Sequence, residues 1–430
     1  MFVKTLCFSL SVRVPQDNFR IVVRTWFDKR CILKEGGIRD EYFGPLSEDL
    51  KSEFPTLFIF KLIHSSFSEL HDFLNARRDP VLHSCLVESF LSPADVLKVF
   101  VSYMFSKIRI KGKILYKGID ICPILNSSLE EDYLMLRGLV FYIELAAAKK
   151  ILKLDPVVIL IPHENQAWEK AYPYARYKAG QCAVRITGFQ HTGFSLKILN
   201  YFPSIIDAKM PIFPDKVVTV GGLTKRILDE KAHYPCPIIE GASLRFDRHS
   251  KSGAFEIKSI NTNILCCVVY AFSYDIPKYQ KILEALIDAF QNSKVKVFLK
   301  VHPLYDEEKV IGDLGIKLPD NFILAQKYPW DDIYETVDCI LYDDNSIGLE
   351  GVIHGLKTYM LDVGDLVYDC NRMYYFNLWE ARLDIPGLKK LRDEIESGSF
   401  NKQFDNGRAL EYINLNYNVY SKDKYFDVYL

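Results

Sequence analysis

Short apolar runs, each ending on a cluster of polar residues, recur along the whole chain and alternate with stretches of helical spacing. In the first half these runs are residues 19–27 (FRIVVRTWF), 55–63 (PTLFIFKLI), 156–161 (PVVILI), 183–188, 216–220 and 237–239. Short runs that are apolar on both faces, between helical stretches, predict parallel strands covered by helices on either side. Residues 93–108 and 132–152 carry the helical period, with Ser92 placed as an N-cap and Asp95 in the first turn. Residues 1–14 read as a further strand rather than a leader, since they contain no small-residue cleavage site.

The pattern breaks at residues 247–259 (DRHSKSGAFEIKS), which are charged and poor in aliphatics. It then restarts, with strands expected at 263–272, 294–301, 321–325, 339–342 and 358–362 and helices at 277–292, 330–336 and 348–355. The expectation is an α/β chain of two Rossmann-like halves: residues 1–246, a linker over 247–262, a second domain over 263–400, and a tail over 401–430 that returns to the first. A length of 430 residues suits two such domains, and 49% hydrophobic with 25% charged residues suits a globular chain.

Several function classes fall away. No GxGxxG follows the first strand of either half, no GxxxxGK[ST] loop occurs, and no GxSxG elbow occurs, which argues against dinucleotide dehydrogenases, P-loop enzymes and serine hydrolases. With 54 basic and 55 acidic residues there is no basic field for nucleic acid. The ten cysteines form no CxxC pair, which points to reduced thiols in the cytoplasm and away from a zinc or disulfide scaffold. No apolar run is long enough to span a bilayer.

In a parallel sheet, ligands sit beyond the carboxyl ends of the strands. His302 and Pro303 end the run 294–301, with Lys300 just before them; they suit a phosphate, or are a surface histidine at a strand end. Asn345 and Ser346 follow the run 339–342 at a helix start and offer a hydroxyl and free backbone N–H groups, or simply a cap; Glu350, one turn on, can accept from ribose hydroxyls. The acidic pair at 343–344 reads as capping, not as a metal site. The segment HENQAWE (163–169) brings Glu164 as a base or nucleophile and Asn165 and Gln166 as partners for sugar hydroxyls, while Trp168 reads more readily as a core anchor. Segment FQHTGFS (189–195) adds Gln190 and His191, or a satisfied loop histidine. Segment EGASLR (240–245) adds Ser243 and Arg245, an arginine suited to a carboxylate or phosphate.

The ordered set resembles the GT-B glycosyltransferases, and within them the bacterial sialyl- and Kdo-transferases that use CMP-activated ulosonic acids. The likeness rests on the His302–Pro303 pair, the loop bearing Ser346 and the segments at 163, 189 and 240. Those three segments are also similar to motifs of a family of surface-carbohydrate biosynthesis proteins from capsule and lipopolysaccharide loci. The resemblance implies two parallel-sheet domains facing a central cleft, with His302 and Ser346 on the CMP phosphate. It further implies catalytic roles for Glu164 and His191, contacts to the donor sugar from Asn165, Gln166, Gln190, Ser243 and Arg245, and neither a metal nor a cofactor. The acceptor it implies is a surface glycan or lipid-linked oligosaccharide met in the cytoplasm, with peripheral contact to the inner membrane. The acidic pair followed by glycine used as a base by several sialyltransferases is missing, and Asn345–Ser346 stands where a pair of hydroxyls is usual. A UDP-sugar or CDP-glycerol donor, and a non-catalytic glycan-binding subunit, are the alternatives. The basic cluster at 107–117 (KIRIKGKILYK) suits an anionic membrane or lipid-linked acceptor, or is a solvated face.

Overall fold

The computed structural model describes residues 1–33, 36–77, 82–191, 199–245, 250–251, 254–255, 266–272, 276–302, 305–343, 345–364 and 382–430. Two compact units divide the chain. Unit 1 holds the described residues between Met1 and Thr192, between Leu199 and Asp247, and from Asn418 to Leu430; unit 2 holds those of Arg248–Tyr417.

In unit 1 the strands are β1 (Ile21–Phe27), β2 (Thr56–Leu62) and β3 (Ser84–Leu86), a small hairpin of β4 (Leu115–Tyr116) and β5 (Ile119–Asp120), then β6 (Val158–Pro162), β7 (Arg185–Phe189), β8 (Lys216–Thr219) and β9 (Ile238–Glu240). The large sheet has the order β3-β2-β1-β6-β7-β8-β9, and each pairing is parallel. Unit 2 carries a hairpin of β10 (Ser250–Lys251) and β11 (Ala254–Phe255), then β12 (Cys267–Ala271), β13 (Lys296–Lys300), β14 (Phe322–Leu324), β15 (Cys339–Tyr342), β16 (Lys357–Leu361) and β17 (Arg382–Leu383). Its sheet runs β14-β13-β12-β15-β16-β17, again parallel throughout.

Both sheets are therefore built the same way. The chain starts at a central strand, adds two strands on one side, and returns to the other side of the first strand. This doubly wound order puts a reversal between β1 and β6 in unit 1 and between β12 and β15 in unit 2, and the carboxyl ends of the strands at such a reversal are where open α/β sheets take their ligands. Two parallel α/β units of this kind are the parts from which GT-B enzymes are built, as the alternation of runs predicts. The central strands are apolar because both faces are covered: all seven residues of β2 are buried, as are all five of β12. In unit 2 the helix Ile276–Phe290 lays Tyr279, Ile282, Leu283, Leu286 and Phe290 onto the sheet at helical spacing.

Two local expectations are corrected. Residues 1–14 do not form a strand; Phe2–Ser11 is a helix. The buried positions Thr5, Phe8, Ser9 and Val12 follow a helical period that the apolar content of the segment hides, and the Ser9 and Ser11 hydroxyls donate to carbonyls three residues back. The single helix expected over 132–152 is two helices, Cys122–Leu134 and Leu139–Ile151, parted by a turn in which Leu136 takes φ 58°. The cap at Ser92 is present, as a capping box with Asp95. Among the described residues no helix is long and apolar enough to cross a membrane.

Candidate functional site

Because the strands of unit 1 are parallel, the segments after β1, β6, β7 and β9 all leave on one edge. The turn after β6 is pinned from within. Glu169 accepts the backbone N–H of Glu164 on both carboxylate oxygens at 2.9 and 3.0 Å, and it lies 3.0 Å from Nδ1 of His163 with both side chains buried. Asn165 takes φ 55°, a left-handed conformation that asparagine tolerates, and its amide donates to the carbonyl of Asn200 at 2.7 Å. This turn presents Glu164, which stays partly exposed and accepts from Nε2 of Gln166 at 2.6 Å.

His191, after β7, is buried and stands with Nε2 3.8 Å from Oε1 of Glu164. Burial holds its pKa well below 6.5, and the positive charges of Arg245 and Arg30 push the same way against a hydrogen bond with the Phe189 backbone. The ring is therefore neutral at neutral pH, and the contact with Glu164 is an approach of a carboxylate to a neutral imidazole rather than an ion pair. Tyr42 meets the His191 ring edge-on at 5.1 Å, and the guanidinium of Arg245 lies 5.4 Å from the Tyr42 ring centroid. Burial lifts the Tyr42 phenol to about 12, with Arg245 and Arg30 opposing. Asp28, the first residue after β1, accepts from Nε and Nη2 of Arg30 at 3.0 and 2.5 Å. Burial pushes its carboxyl up, but the hydrogen bonds and charge of Arg30, helped by Arg245, bring it below the usual carboxylate value.

The edge thus gathers Asp28, Arg30, Tyr42, Glu164, His191 and Arg245. Glu164, His191 and Arg245 come from the segments singled out in the sequence. Asp28, Arg30 and Tyr42 do not, although Asp28 obeys the same rule of a polar residue directly after an apolar run. Three other candidates lie deeper. Gln190 is fully buried, with its Oε1 accepting from the Val220 N–H at 3.4 Å. Ser243 is buried, with its backbone N–H given to Asn418. Trp168 packs on the guanidinium of Arg24 at 3.8 Å, the core role expected of it. Thr192 through Ser195 lie outside the described residues.

In unit 2, β13 and β15 flank β12, so His302 and Asn345 leave the sheet on either side of that strand. Asn345 donates from Nδ2 to the Ala271 carbonyl at 2.9 Å and accepts at Oδ1 from the Ile347 N–H at 3.1 Å, so its side chain supplies the capping bond of the helix Ile347–Ile353 that the N-cap residue Ser346 does not make with its own hydroxyl. The Ser346 hydroxyl donates to Oε1 of Glu350 at 3.2 Å, and Tyr334 donates to the other oxygen at 3.3 Å. Lys300 gives its ammonium to the carbonyls of Ala325 and Tyr328 at 3.1 and 2.6 Å and lies 5.1 Å from the Trp330 ring; burial lowers its pKa. His302 is half-buried beside Tyr305, with ring centroids 6.2 Å apart. Pro303 and Asp344 lie outside the described residues. Among the described residues no group of three or more His, Cys, Asp or Glu side chains is placed to hold a metal ion.

No family model matches the chain, and no curated protein matches it. Among solved structures it is similar to a UDP-GlcNAc 2-epimerase from Neisseria meningitidis bound to UDP-GlcNAc, at 10% identity over 91% of this chain and 98% of that one, with a TM-score of 0.49. It is similar also to the calicheamicin glycosyltransferase CalG4, at 11% identity over 92% and 94% with a TM-score of 0.48, and to TarM, at 10% over 94% and 97% with a TM-score of 0.46. Identities this low say nothing about substrate, and the fold stands on the strand orders themselves.

Proposed function

We propose that the chain is a glycosyltransferase that moves a Kdo- or nonulosonic-type acid from a CMP-activated donor to a hydroxyl of a surface glycan or lipid-linked oligosaccharide in the cytoplasm. The observation that carries this reading is the pairing of the partly exposed Glu164 with neutral His191 beside the cations Arg245 and Arg30. Glu164 takes the proton of the acceptor hydroxyl as the new bond to the anomeric carbon forms. The bond from that carbon to the phosphate breaks, and CMP leaves with the electron pair. His191 is the positioning residue behind Glu164. Arg245 suits the carboxylate that an ulosonic acid carries beside its reacting carbon. In unit 2, His302 with the loop of Asn345 and Ser346 takes the nucleotide phosphate, and Glu350 the ribose.

A nucleotide panel read by thermal shift tests the donor, and release of CMP from CMP-Kdo or CMP-nonulosonates in the presence of acceptor tests the reaction. CMP is expected to stabilise the protein more than UDP or CDP; the opposite order refutes the CMP donor while leaving a transferase in place. Glu164→Gln is expected to lower kcat by about 10²–10⁴-fold with CMP binding retained. Undiminished turnover in that variant removes Glu164 from the mechanism.

A further inference from the structure

The crossover from β3 to β6 contains an excursion that the core does not use. Residues 104–138 run between the buried Tyr103 and Leu139, and only Cys122 among them is buried. The stretch holds the β4–β5 hairpin and the helix Cys122–Leu134, so neither rests on a core of its own. A two-stranded hairpin gains little by itself in water. Even so, the segment exposes large apolar side chains: Phe105 at 86%, with Ile108, Leu115, Tyr116, Ile119 and Ile124 at 60–68%.

Cations are interleaved with them. Lys107, Arg109, Lys111, Lys113 and Lys117 fall within eleven residues, and Asp120 is the nearest acid that follows. Lys107 pairs with Glu130, and Arg137 takes Glu131 and Asp132. Among the described residues Arg109, Lys111, Lys113 and Lys117 form no ion pair. A cleft of about 760 Å³ opens here, and its lining includes Lys107, Arg109 and Lys111 together with Asp120, Asn126 and Glu130.

We propose that residues 104–138 are a docking surface for an anionic lipid bilayer. Unpaired cations interleaved with isoleucine, and an aromatic near each end of the basic run, match the two requirements of an interfacial anchor. The apolar side chains enter the acyl boundary, and the long basic stems reach back to anionic headgroups. Each signal alone is weak, and the two together hold a protein at a membrane. The apolar surface accounts for why the segment stands off the core, and the unpaired cations select an anionic surface over a neutral one.

Flotation of the full-length chain tests this, with vesicles of phosphatidylcholine alone and of phosphatidylcholine with phosphatidylglycerol, at low and high salt. Binding is expected on the anionic vesicles alone and is expected to weaken as salt screens it. Lys111→Gln is expected to lower the partition about fivefold, and the triple change Lys111→Gln, Lys113→Gln, Lys117→Gln about a hundredfold. Phe105→Ser with Leu115→Ser is expected to remove the binding that survives high salt. These side chains are exposed, so circular dichroism of each variant is expected to match the parent. Absence of binding to anionic vesicles, equal binding to both kinds, or an unchanged partition in Lys111→Gln overturns the proposal. So does a dimer in lipid-free solution that Phe105→Ser with Leu115→Ser dissociates, since a second copy would then be what covers the surface.

Discussion

Arg24 and Glu144 meet at 2.5 Å with neither side chain exposed to solvent. The guanidinium packs against both the Trp26 and the Trp168 rings, 4.1 and 3.8 Å from their centroids, where the two indoles meet edge-on, and Tyr172 donates to the second Glu144 oxygen at 2.8 Å. The network ties β1 to the helices Leu139–Ile151 and Ala171–Ala179 beneath the edge that carries Glu164. Taking away one charge leaves the other buried without compensation. Glu144→Leu is therefore expected to cost about 3–5 kcal/mol, read from denaturant midpoints. The double change Arg24→Met with Glu144→Leu is expected to cost less than Glu144→Leu alone. Additive losses in the double variant would show that pairing contributes nothing.

His191 makes a pH prediction whose sign follows from its neutrality. The unfolded histidine binds a proton near 6.5 and the folded one only well below that value. As pH falls through 6.5 the unfolded state takes up the proton first, so the stability that His191 contributes above this pH is lost on acidification. His191→Asn cannot titrate. The parent is expected to lose more stability than this variant between about pH 7.5 and about pH 5.5, in paired denaturant titrations. Equal losses in the two proteins would mean that burial does not depress the imidazole.

The strands were legible because burial on both faces leaves little in their sequence but apolar residues: the run 339–342 is β15 residue for residue, and the helix Trp330–Thr336 has its expected bounds. Strand ends were legible by the same logic, and they yielded Glu164, His191 and Arg245. What stayed hidden depends on partners far away in the chain. Arg24 interrupts an apolar strand, and its partner lies 120 residues on in a helix, so no local pattern announces a buried charge. Tyr42 reaches His191 across a similar gap in sequence. Asn165 and Gln190 carry side chains suited to sugar hydroxyls, yet the structure gives both of them backbone partners.

Gly44 sets the spacing between Tyr42 and Arg245. Its φ is 44°, and a Cβ there would stand 2.2 Å from the carbonyl oxygen of Leu244, the residue before Arg245. Alanine must displace one backbone segment or the other. Gly44→Ala is expected to cost about 1–3 kcal/mol and to lower kcat/KM for an anionic donor by moving Arg245. Gly36→Ala is the control: its φ is 92° but a Cβ there meets nothing within 4 Å. It is expected to lose stability through strain alone and to keep kcat/KM. Equal effects on kcat/KM in the two variants would detach Arg245 from the donor.

Asn345 bridges the reversal point of the second sheet. One amide group holds the end of β12 through the Ala271 carbonyl and caps the helix Ile347–Ile353 through the Ile347 N–H. Asn345→Ala removes both bonds and is expected to cost about 1–2 kcal/mol. Asn345→Asp keeps an acceptor for the cap, loses the donor to the carbonyl and brings a negative charge to the strand ends where the nucleotide phosphate is proposed to sit. It is expected to retain more stability than Asn345→Ala while weakening CMP binding further, because repulsion adds to the lost hydrogen bond. Ser346→Ala removes only a hydroxyl turned towards Glu350 and is expected to change CMP affinity less than either. Calorimetric titration of the three variants with CMP orders these effects. If Ser346→Ala weakens binding most, the hydroxyl rotates away from Glu350 to meet the phosphate, and the amide serves the fold alone.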